Sequence, residues 1–401
     1  MLAGNLRHLR VFLAIAESGS VTRAAAVCSV SQPAATQTLA KLEAAAGMPL
    51  FQRTPHGLRA SVAGDLLRRR VFRAFGRLDP ALREIAPRLV ATATRPQLVA
   101  LVGVAETQNF TLAAARLMLA QPTVHRAIGQ IEQAAGRPLF QRSSAGILPG
   151  RPCLALAQAA RLAFAEFDQA AAELADLQGR EAGAIVIGAT PLARSHVLPR
   201  ALLRFRETRP RTTIRVVDGP WDDLLAGLRR GEIDVIVGAL RRPAPVGDIV
   251  QECLFDDTLA LLAAAEDPLV VAGSATIAQL QERPWLVPRS GTPARAQFDA
   301  LFAAAGLAGP SSLIETGSVI LMREMVGNAG HLACISRAQA ASEIARNLVA
   351  EIAFPGAQTP RPIGVTYRLG WAPTPAQGAL LDAVRACAQD DVPDSRGLHG
   401  H

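Results

Sequence analysis

The chain is poor in aromatic residues, in lysine and in long apolar runs, and each shortage excludes a class of protein. Aromatic residues make up 4% of the 401 residues, and Lys41 is the single lysine among 42 basic residues. No uninterrupted apolar run approaches the roughly 18–20 residues that a membrane-spanning helix needs. The N-terminal segment has apolar residues at helical spacing and carries Glu17, so it is unlike a secretory signal. We therefore expect a cytoplasmic protein without a membrane partner.

Cysteine is also scarce, and it is not arranged in pairs. The five cysteines include no CxxC pair, which argues against a zinc site or a disulfide framework. We expect buried structural cysteines, with a redox-sensing thiol as the alternative. The sequence also lacks the GxSxG, GxxxxGK[ST], GxGxxG and HExxH motifs, which carry nucleophilic, phosphate-binding, dinucleotide-binding and zinc-dependent chemistry. We therefore expect no enzyme, no metal and no cofactor.

The formal net charge of +8 is concentrated at one end of the chain. Residues 1–89 hold 13 basic against 5 acidic residues, whereas residues 90–401 hold 29 of each. A genome-wide preference for arginine explains the shortage of lysine, but it does not explain why the excess is confined to one end. This distribution predicts that the N-terminal segment contacts a polyanion.

A segment of the N-terminal region is repeated 89 residues later. Of the 38 residues from Ala16 to Arg53, 17 are identical to their counterparts from Ala105 to Arg142, without a gap. The block PLFQR ends both copies. Two copies are too few for a solenoid. We therefore predict two tandem copies of one small domain, followed by a different domain.

The first copy has the pattern of a winged helix-turn-helix. Ser20 and Ser31 stand at N-cap positions of two helices, and Gly47 ends the second helix. The outer face of this second helix is small and polar, with Thr36 and Thr38 expected on its flanks, which is typical of a recognition helix in the major groove. There we expect Gln37 to read adenine and Lys41 to meet a guanine or a phosphate. The residues that follow predict a two-stranded wing whose phosphate-contacting side chains are Arg53, His56 and Arg59.

Three blocks, SQPAATQTLAKLE, GMPLFQR and HGLRASVAG, resemble the N-terminal winged helix-turn-helix of LysR-type transcriptional regulators in order and spacing. The likeness covers about residues 5–65, and the second copy is unusual for that family. It implies promoter DNA as a double-stranded partner, a homodimer or homotetramer, and RNA polymerase as a further partner. It also implies base contacts from the start of the third helix, here Ser31, Gln32, Pro33, Ala34, Thr36 and Gln37.

The second copy departs from that pattern in its outer surface. Residues 90–178 hold 7 basic against 6 acidic residues, and phosphate contacts supply most of the affinity for DNA. We expect both copies to contact DNA, with the first dominant. The alternative is that the second copy serves mainly for packing against protein. The candidate DNA-contacting residues of the second copy are Gln121, Pro122, Thr123, His125, Arg126 and Arg142.

A long apolar stripe follows the second copy. Its residues are spaced as on one face of a helix, and they are Leu156, Ala160, Ala163 and Phe167. In LysR-type regulators the helix at this place links the DNA-binding domain to the sensor and pairs two chains. We therefore predict a first winged helix-turn-helix with its helix at 1–89, a second at 90–150, a linker and dimerisation helix at 151–181, and an effector-binding domain at 182–401.

From Ala184 onwards, short apolar strands alternate with helices, which predicts an α/β domain with a mostly parallel sheet. We expect a loop at Thr190–Ala193, a strand at Leu332–Ser336, and one further strand element in the segment from Cys253 to Ala264. The segment resembles the effector-binding domain of the same regulators, in the branch that includes the galactose-binding-protein regulators. That domain is similar to type 2 periplasmic-binding proteins and has two lobes, here about 182–258 with 350–390, and 259–349.

The same likeness implies a small-molecule effector held between the two lobes. By position, its contacts are Thr190, Pro191, Ser290, Gly291, Thr292 and Ser318. Arg289 stands beside this set and can pair with an anionic ligand, while an outward-facing surface arginine is the alternative. The expected fold is α/β overall, with two tandem winged helix-turn-helix domains, a long linker helix and a two-lobed α/β effector domain.

Overall fold

The computed structural model describes residues 4–143 and 146–389, without the side chains of Arg142 and Ser143. The chain divides into two compact units, Met1–Ala184 and Ile185–His401. Within the described ranges, no helix is both long enough and apolar enough to cross a membrane.

The first copy of the repeat forms three helices, a two-stranded wing and a long fourth helix. Ser20 and Ser31 cap the second and third helices as predicted, because their side chains accept hydrogen bonds from backbone N–H groups of the first turn. The elements are α1 (Leu6–Ser18), α2 (Val21–Val27), α3 (Gln32–Ala46), β1 (Phe51–Thr54), β2 (Gly57–Ala60) and α4 (Val62–Ile85).

The second copy repeats this order of elements. After the short α5 (Leu89–Thr92), every element begins 89 residues after its counterpart in the first copy. These elements are α6 (Arg95–Thr107), α7 (Phe110–Leu117), α8 (Gln121–Ala135), β3 (Phe140–Ser143), β4 (Gly146–Pro149) and α9 (Arg151–Asp176). The structural repeat therefore extends beyond the segment of high identity and includes the long helices α4 and α9.

One carboxylate fastens the wing to the recognition helix in both copies. The Oε1 atom of Glu43 accepts hydrogen bonds from the backbone N–H groups of Leu50 and Phe51 at 2.8 and 3.3 Å. Glu132 does the same for its own wing at 2.8 and 3.4 Å. Since these backbone donors are partly buried, they need a partner within the protein, which explains why both copies carry glutamate here.

The helix α9 packs along α4, so one apolar core runs through both copies. The stripe predicted on α9 is buried, with Leu156 and Phe167 at 0% and 2% exposure, which confirms that prediction. Its partner is α4 of the same chain. There the ring centroids of Phe75 and Phe167 lie 6.1 Å apart in an edge-on arrangement.

The second unit contains two lobes, each built on one five-stranded sheet. The first lobe begins with β5 (Ala184–Ala189), α10 (Pro191–Ser195), α11 (Val197–Thr208), β6 (Thr213–Asp218), α12 (Trp221–Arg230), β7 (Val235–Ala239) and β8 (Ile249–Asp257). It is completed at the end of the chain by β14 (Arg361–Arg368) and α18 (Pro375–Gln389). The strand order in its sheet is β6-β5-β7-β14-β8.

The second lobe is formed by the chain between β8 and β14. Its first elements are β9 (Leu259–Ala263), α13 (Pro268–Val271), α14 (Ile277–Gln281), β10 (Trp285–Val287), α15 (Pro293–Ala304) and β11 (Leu313–Glu315). They are followed by α16 (Val319–Ala329), β12 (Leu332–Ser336), α17 (Arg337–Ala345), β13 (Ala350–Glu351) and a 3-10 turn at Pro355–Gln358. The strand order in this sheet is β11-β10-β12-β9-β13.

Both sheets are mixed, so the prediction of a mostly parallel sheet is wrong. The strand β14 runs antiparallel to β7 and β8, and β9 runs antiparallel to β12 and β13. In each lobe the antiparallel pairs involve the strands next to the places where the chain passes from one lobe to the other. Alternation of strands and helices along the sequence indicates the fold class, but it does not indicate these crossings.

The segment from Cys253 to Ala264 contains the end of one strand and the whole of another, which lie in different sheets, where one strand element was expected. It breaks at Thr258, between β8 and β9. Beside the break, Oδ2 of Asp257 accepts hydrogen bonds from Oγ of Ser336 at 2.6 Å and from Nη2 of Arg361 at 2.5 Å. All three of these polar side chains are buried. A charged cluster therefore marks the place where the chain leaves one lobe for the other.

Candidate functional site

The first copy leaves all of its predicted DNA-contacting side chains exposed. The exposed residues are Ser31, Gln32, Pro33, Ala34, Thr36, Gln37, Lys41, Arg53, His56 and Arg59. The opposite face of α3 is buried through Ala35, Thr38, Leu42 and Ala46. We expected Thr38 on the flank of the outer face, and that expectation is wrong, since Thr38 is 9% exposed and Leu39 is half-buried at the flank.

Two of these side chains are engaged within α3, whereas those of Gln32, Gln37 and Lys41 make no hydrogen bond or ion pair in the described part of the chain. The hydroxyl of Ser31 accepts a hydrogen bond from the N–H of Ala34, and that of Thr36 donates to the carbonyl of Gln32. Burial, and then the positive charge of Lys41, lower the pKa of His8. The polar groups of α3 that remain free on the outer face are thus two amides and an ammonium.

A close backbone contact holds the first wing to the helices. The N–H of Leu58 donates to the carbonyl of Gly19 at 2.8 Å. Gly57 has φ of +117°, and a Cβ atom at this position would lie 2.6 Å from the same carbonyl oxygen. Only glycine suits this position, which combines a positive φ with close approach of two backbones. The wing that carries Arg53 and His56 is therefore fixed relative to α1 and α2.

The second copy also exposes its candidates, but part of its surface is already occupied. Gln121, Pro122, Thr123, His125 and Arg126 are exposed. The ring of His125 stacks on Phe110 of α7, with centroids 3.8 Å apart and planes 17° from parallel. Within the described ranges, the side chain of Arg126 makes no hydrogen bond, ion pair or ring contact. Arg142 belongs to β3, but its side chain lies outside the described residues.

Large apolar side chains are exposed on the second copy where the first copy is polar. The exposed fractions are 58% for Leu112, 92% for Met118 and 44% for Leu148. At the 89-residue offset, their counterparts are Arg23, Ser29 and Arg59. The sequence predicts the loss of basic charge in the second copy, but not the exposure of Leu112 and Met118, because their surroundings depend on the packing of α7.

In the first lobe, the candidate effector contacts follow β5. The N–H of Thr190 donates to the carbonyl of Val237 at 3.1 Å. Pro191 begins α10, so the segment that we expected to be a loop is a short helix. A Cβ atom at Gly238 would lie 2.2 Å from Oγ1 of Thr190. The absence of a side chain at Gly238 therefore allows Thr190 to approach β7.

In the second lobe, Ser290 belongs to a polar cluster that we did not predict as a site. Its hydroxyl donates to Oε1 of Glu315 at 2.6 Å, and Nη1 of Arg295 donates to the same oxygen at 2.5 Å. These hydrogen bonds, first that from Ser290 and then that from Arg295, lower the pKa of Glu315. Arg289 and Gly291 are exposed beside the cluster.

Thr292 and Ser318 begin two helices of this lobe. The hydroxyl of Thr292 accepts from the N–H of Arg295 at 3.3 Å, and that of Ser318 accepts from the N–H of Leu321 at 3.2 Å. They are the N-caps of α15 and α16, whose N-terminal ends carry partial positive charge. A Cβ atom at Gly317 would lie 3.4 Å from Cγ of Pro191. The loop before Ser318 therefore meets Pro191 of the first lobe.

The two winged helix-turn-helix domains, which we call the heads, are formed by α1 to β2 and by α6 to β4. Together with a two-lobed α/β domain they define a DNA-binding regulator with an effector domain. A family model described as "Bacterial regulatory helix-turn-helix protein, lysR family" matches residues 6–65 and again 96–151. A second model, "LysR substrate binding domain", matches residues 178–389. The chain belongs to the LysR family of transcriptional regulators, as predicted, and it is not an enzyme.

Curated relatives agree with this assignment. The transcriptional regulator GalR of Pseudomonas putida is 34% identical over 388 residues, which is 95% of this chain and 96% of that protein. The uncharacterized regulator YdcI of Escherichia coli K12 is 28% identical over 287 residues, 71% of this chain and 92% of that protein. The likeness to GalR thus extends through both copies of the head.

The solved structure of CbnR, a LysR family regulator, superposes with a TM-score of 0.49 at 21% identity. The match covers 73% of this chain and 99% of that chain.

Proposed function

We propose that the protein binds DNA sequence-specifically, with α3 and the first wing as the dominant reading surface. The observation that carries this proposal is the two-sided character of α3, where Ala35 and Leu42 are buried while the free amide of Gln37 and the ammonium of Lys41 face outward. The basic excess of residues 1–89 supplies attraction for phosphates. Residues 31–37 then contact base edges, and Arg53, His56 and Arg59 position the head on the backbone.

The salt dependence of binding tests this proposal. Fluorescence anisotropy would follow the full chain on duplexes taken from upstream of its own gene, between 50 and 200 mM salt. A head that makes about 6–10 phosphate contacts loses roughly 10³–10⁵ in affinity across that range. Absence of binding, or an affinity that does not change with salt, contradicts the proposal.

We further propose that a small-molecule effector binds in the cleft between the lobes of the second unit. The contact of Pro191 with Gly317 across the lobes supports this location. So do the capped N-termini of α15 and α16, which favour a negatively charged or polar ligand group. The proposed contacts are Thr190, Pro191, Arg289, Ser290, Gly291, Thr292 and Ser318. An effector that binds one arrangement of the lobes better shifts the population toward that arrangement.

Thermal-shift screening of metabolites on the full chain tests the effector site. A true effector raises the melting temperature of the wild type, and Ser290→Ala and Arg289→Ala reduce that shift. The matched control is Arg346→Ala, which removes an exposed arginine at the end of α17. If titration with the effector changes neither DNA affinity nor the bend of the DNA, the proposed coupling is wrong.

A second candidate function concerns the second head alone. The exposure of Leu112, Met118 and Leu148 favours a surface that packs against protein and not against DNA. A DNase footprint of the full chain beside Arg126→Ala decides between the two. The packing function is supported if two results are obtained together. The DNase footprint of Arg126→Ala should equal that of the wild type, and Met118→Ser should weaken a protein–protein association of the full chain.

A further inference from the structure

The two long helices of the first unit occupy equivalent places in the repeat and bury equivalent faces. Six positions are buried in both helices at the 89-residue offset. These pairs are Gly64 and Cys153, Leu67 and Leu156, Val71 and Ala160, Ala74 and Ala163, Leu78 and Phe167, and Ile85 and Leu174. Helices that pack against each other through the same face form an interface of the isologous kind, as in a two-fold dimer.

Polar contacts show that α4 and α9 run antiparallel. Arg70 donates to Glu173 from Nε at 3.0 Å and to Gln169 from Nη1 at 2.7 Å. One turn further along α4, Nε of Arg73 donates to Glu166 at 3.0 Å. The partners on α9 thus come earlier in the sequence as the position on α4 advances. Each head is joined to the N-terminal end of its long helix, so the heads lie at opposite ends of the pair.

Contacts at the far ends of the helices are reciprocal between the copies. After α9, Nε2 of Gln178 donates to the carbonyl of Ala46 at the end of α3, at 2.8 Å. After α4, Nε of Arg88 donates to the carbonyl of Ala134 at the end of α8, at 2.9 Å. Each copy therefore closes on the recognition helix of the other. Such exchange of contacts is the mark of a two-fold relation, and a simple translation along the chain would not produce it.

We propose that one chain is a two-headed DNA-binding unit, in which α3 and α8 are related by a pseudo-two-fold axis and read two inverted half-sites on one duplex. This inference rests on the proposed DNA-binding function. The rings of Phe75 and Phe167 meet about 20 Å from the first residue of α4 and about 24 Å from that of α9, at 1.5 Å per residue. The two long helices therefore begin about 44 Å apart, a separation of the same order as the 34–36 Å of one DNA turn.

The two half-sites differ in sequence because the heads differ at equivalent positions. Gln37 of α3 corresponds to Arg126 of α8, and both side chains are exposed. Glutamine pairs with the N6 and N7 atoms of adenine, whereas arginine pairs with O6 and N7 of guanine. The operator is accordingly an imperfect inverted repeat, with adenine favoured in one half and guanine in the other.

Selection of bound duplexes from a random library, followed by footprinting and by mass photometry of the complex, tests this inference. The expected result is twice as many protected segments as bound chains, with half-sites in inverted orientation. Equal numbers of segments and chains, or half-sites in direct repeat, overturn it. Absence of any selected duplex is a different result, because it refutes the proposed function itself.

The spacing between the half-sites gives a second test, which begins with the wild-type chain. Insertion of five base pairs between the half-sites turns one of them to the opposite face of the duplex, and we expect the affinity to fall at least tenfold. An affinity that tolerates the insertion overturns the inference. Arg70→Gln removes the charged centre of the helix pair, so the loss of affinity caused by the insertion should be smaller in this variant. The control is Arg68→Gln, an exposed neighbour on α4, in which that loss should equal the wild-type value. Arg126→Ala and Gln37→Ala should each remove protection at a different half-site.

Discussion

At the scale of single residues, the free amide of Gln37 offers the most direct test of base reading. Gln37→Ala should weaken binding to the preferred operator by about 1–3 kcal/mol and relax the choice of base at one position. Competition binding with operators altered at each position measures both effects. The control is Gln133→Ala, an exposed glutamine near the C-terminal end of α8. An equal loss on every sequence would show that Gln37 does not read a base.

Arg53 on the first wing should behave differently, because a phosphate contact carries no sequence information. Arg53→Ala should weaken binding by a similar factor on all duplexes and reduce the salt slope by about 1. Titrations at several salt concentrations give that slope. Arg346→Ala, in the other unit, should leave the slope unchanged, and an unchanged slope in Arg53→Ala would remove this residue from the interface.

A surface ion pair in the second unit gives a pH-dependent contribution to stability. Arg385 donates two hydrogen bonds to Glu252 at 2.8 and 2.9 Å and thereby lowers the pKa of that carboxyl group. The stabilisation is present above the unfolded pKa of about 4.3 and is lost as the pH falls through the folded pKa. Both side chains are about one-third exposed, so the pair contributes only about 0.5–1 kcal/mol. Urea denaturation of Glu252→Gln should show this deficit at pH 7 and a much smaller one at pH 3.

At the scale of elements, the pairing of α4 with α9 depends on a buried charged cluster. Arg70 is 5% exposed, and its partners Glu166 and Glu173 are 7% and 11% exposed. Burial acts to lower the pKa of Arg70, but hydrogen bonds to the two carboxylates outweigh it and raise that pKa above its usual value. Removal of one partner leaves buried charge without compensation.

We therefore expect Arg70→Ala to cost about 3–5 kcal/mol of unfolding free energy. Arg68→Ala, two residues earlier, breaks only an exposed pair with Asp65 and should cost less than about 1 kcal/mol. Chemical denaturation of the two variants compares them directly. Similar small losses in both would mean that the cluster does not hold the helices together.

The carboxylate that fastens each wing gives a further element-scale test. Glu43→Ala leaves the N–H groups of Leu50 and Phe51 without their acceptor and should cost about 1–3 kcal/mol. Glu43→Gln keeps an acceptor oxygen and should recover most of that stability. If both variants lose the same amount, the charge of Glu43 and not its hydrogen bonds is responsible.

Elements with strong local signals could be predicted from the sequence, whereas their partners could not. The caps Ser31 and Gly47 define α3 almost to the residue. The apolar stripe of α9 predicts burial, yet nothing in it shows that α4 of the same chain covers it. The sequence pattern does not predict the burial of Thr38, because threonine is counted as a polar residue for its hydroxyl group. Its methyl group nevertheless suits an inner helix face.

At the scale of the whole molecule, the shared core of the first unit predicts cooperative unfolding of both copies. Leu156→Ala, in a fully buried position of the second copy, should cost about 2–5 kcal/mol. Hydrogen exchange should then quicken in the first copy as well, for example at Leu9 of α1. Faster exchange confined to residues 95–176 would mean that the copies unfold independently.

The two-lobed plan of the second unit could be predicted in outline only. Alternating strands and helices indicate its class, and β12 was located to the residue. The sequence does not show that two strands meet at Thr258: Asp256, Asp257 and Thr258 interrupt the apolar residues there, but no glycine or proline marks a turn. What ends β8 is the buried pairing of Asp257 with Arg361, a partner 104 residues away, and local patterns contain no information about such a distant contact.

The presence of both heads in one polypeptide has a consequence for how such a regulator evolves and how it sits on a promoter. In an assembly of identical subunits, one codon change alters every head at once. Here the codons for Gln37 and Arg126 are separate, so a mutation can change the DNA sequence preferred by one head without changing that of the other. Under the proposed two-headed binding, a regulator with unlike heads also distinguishes upstream from downstream.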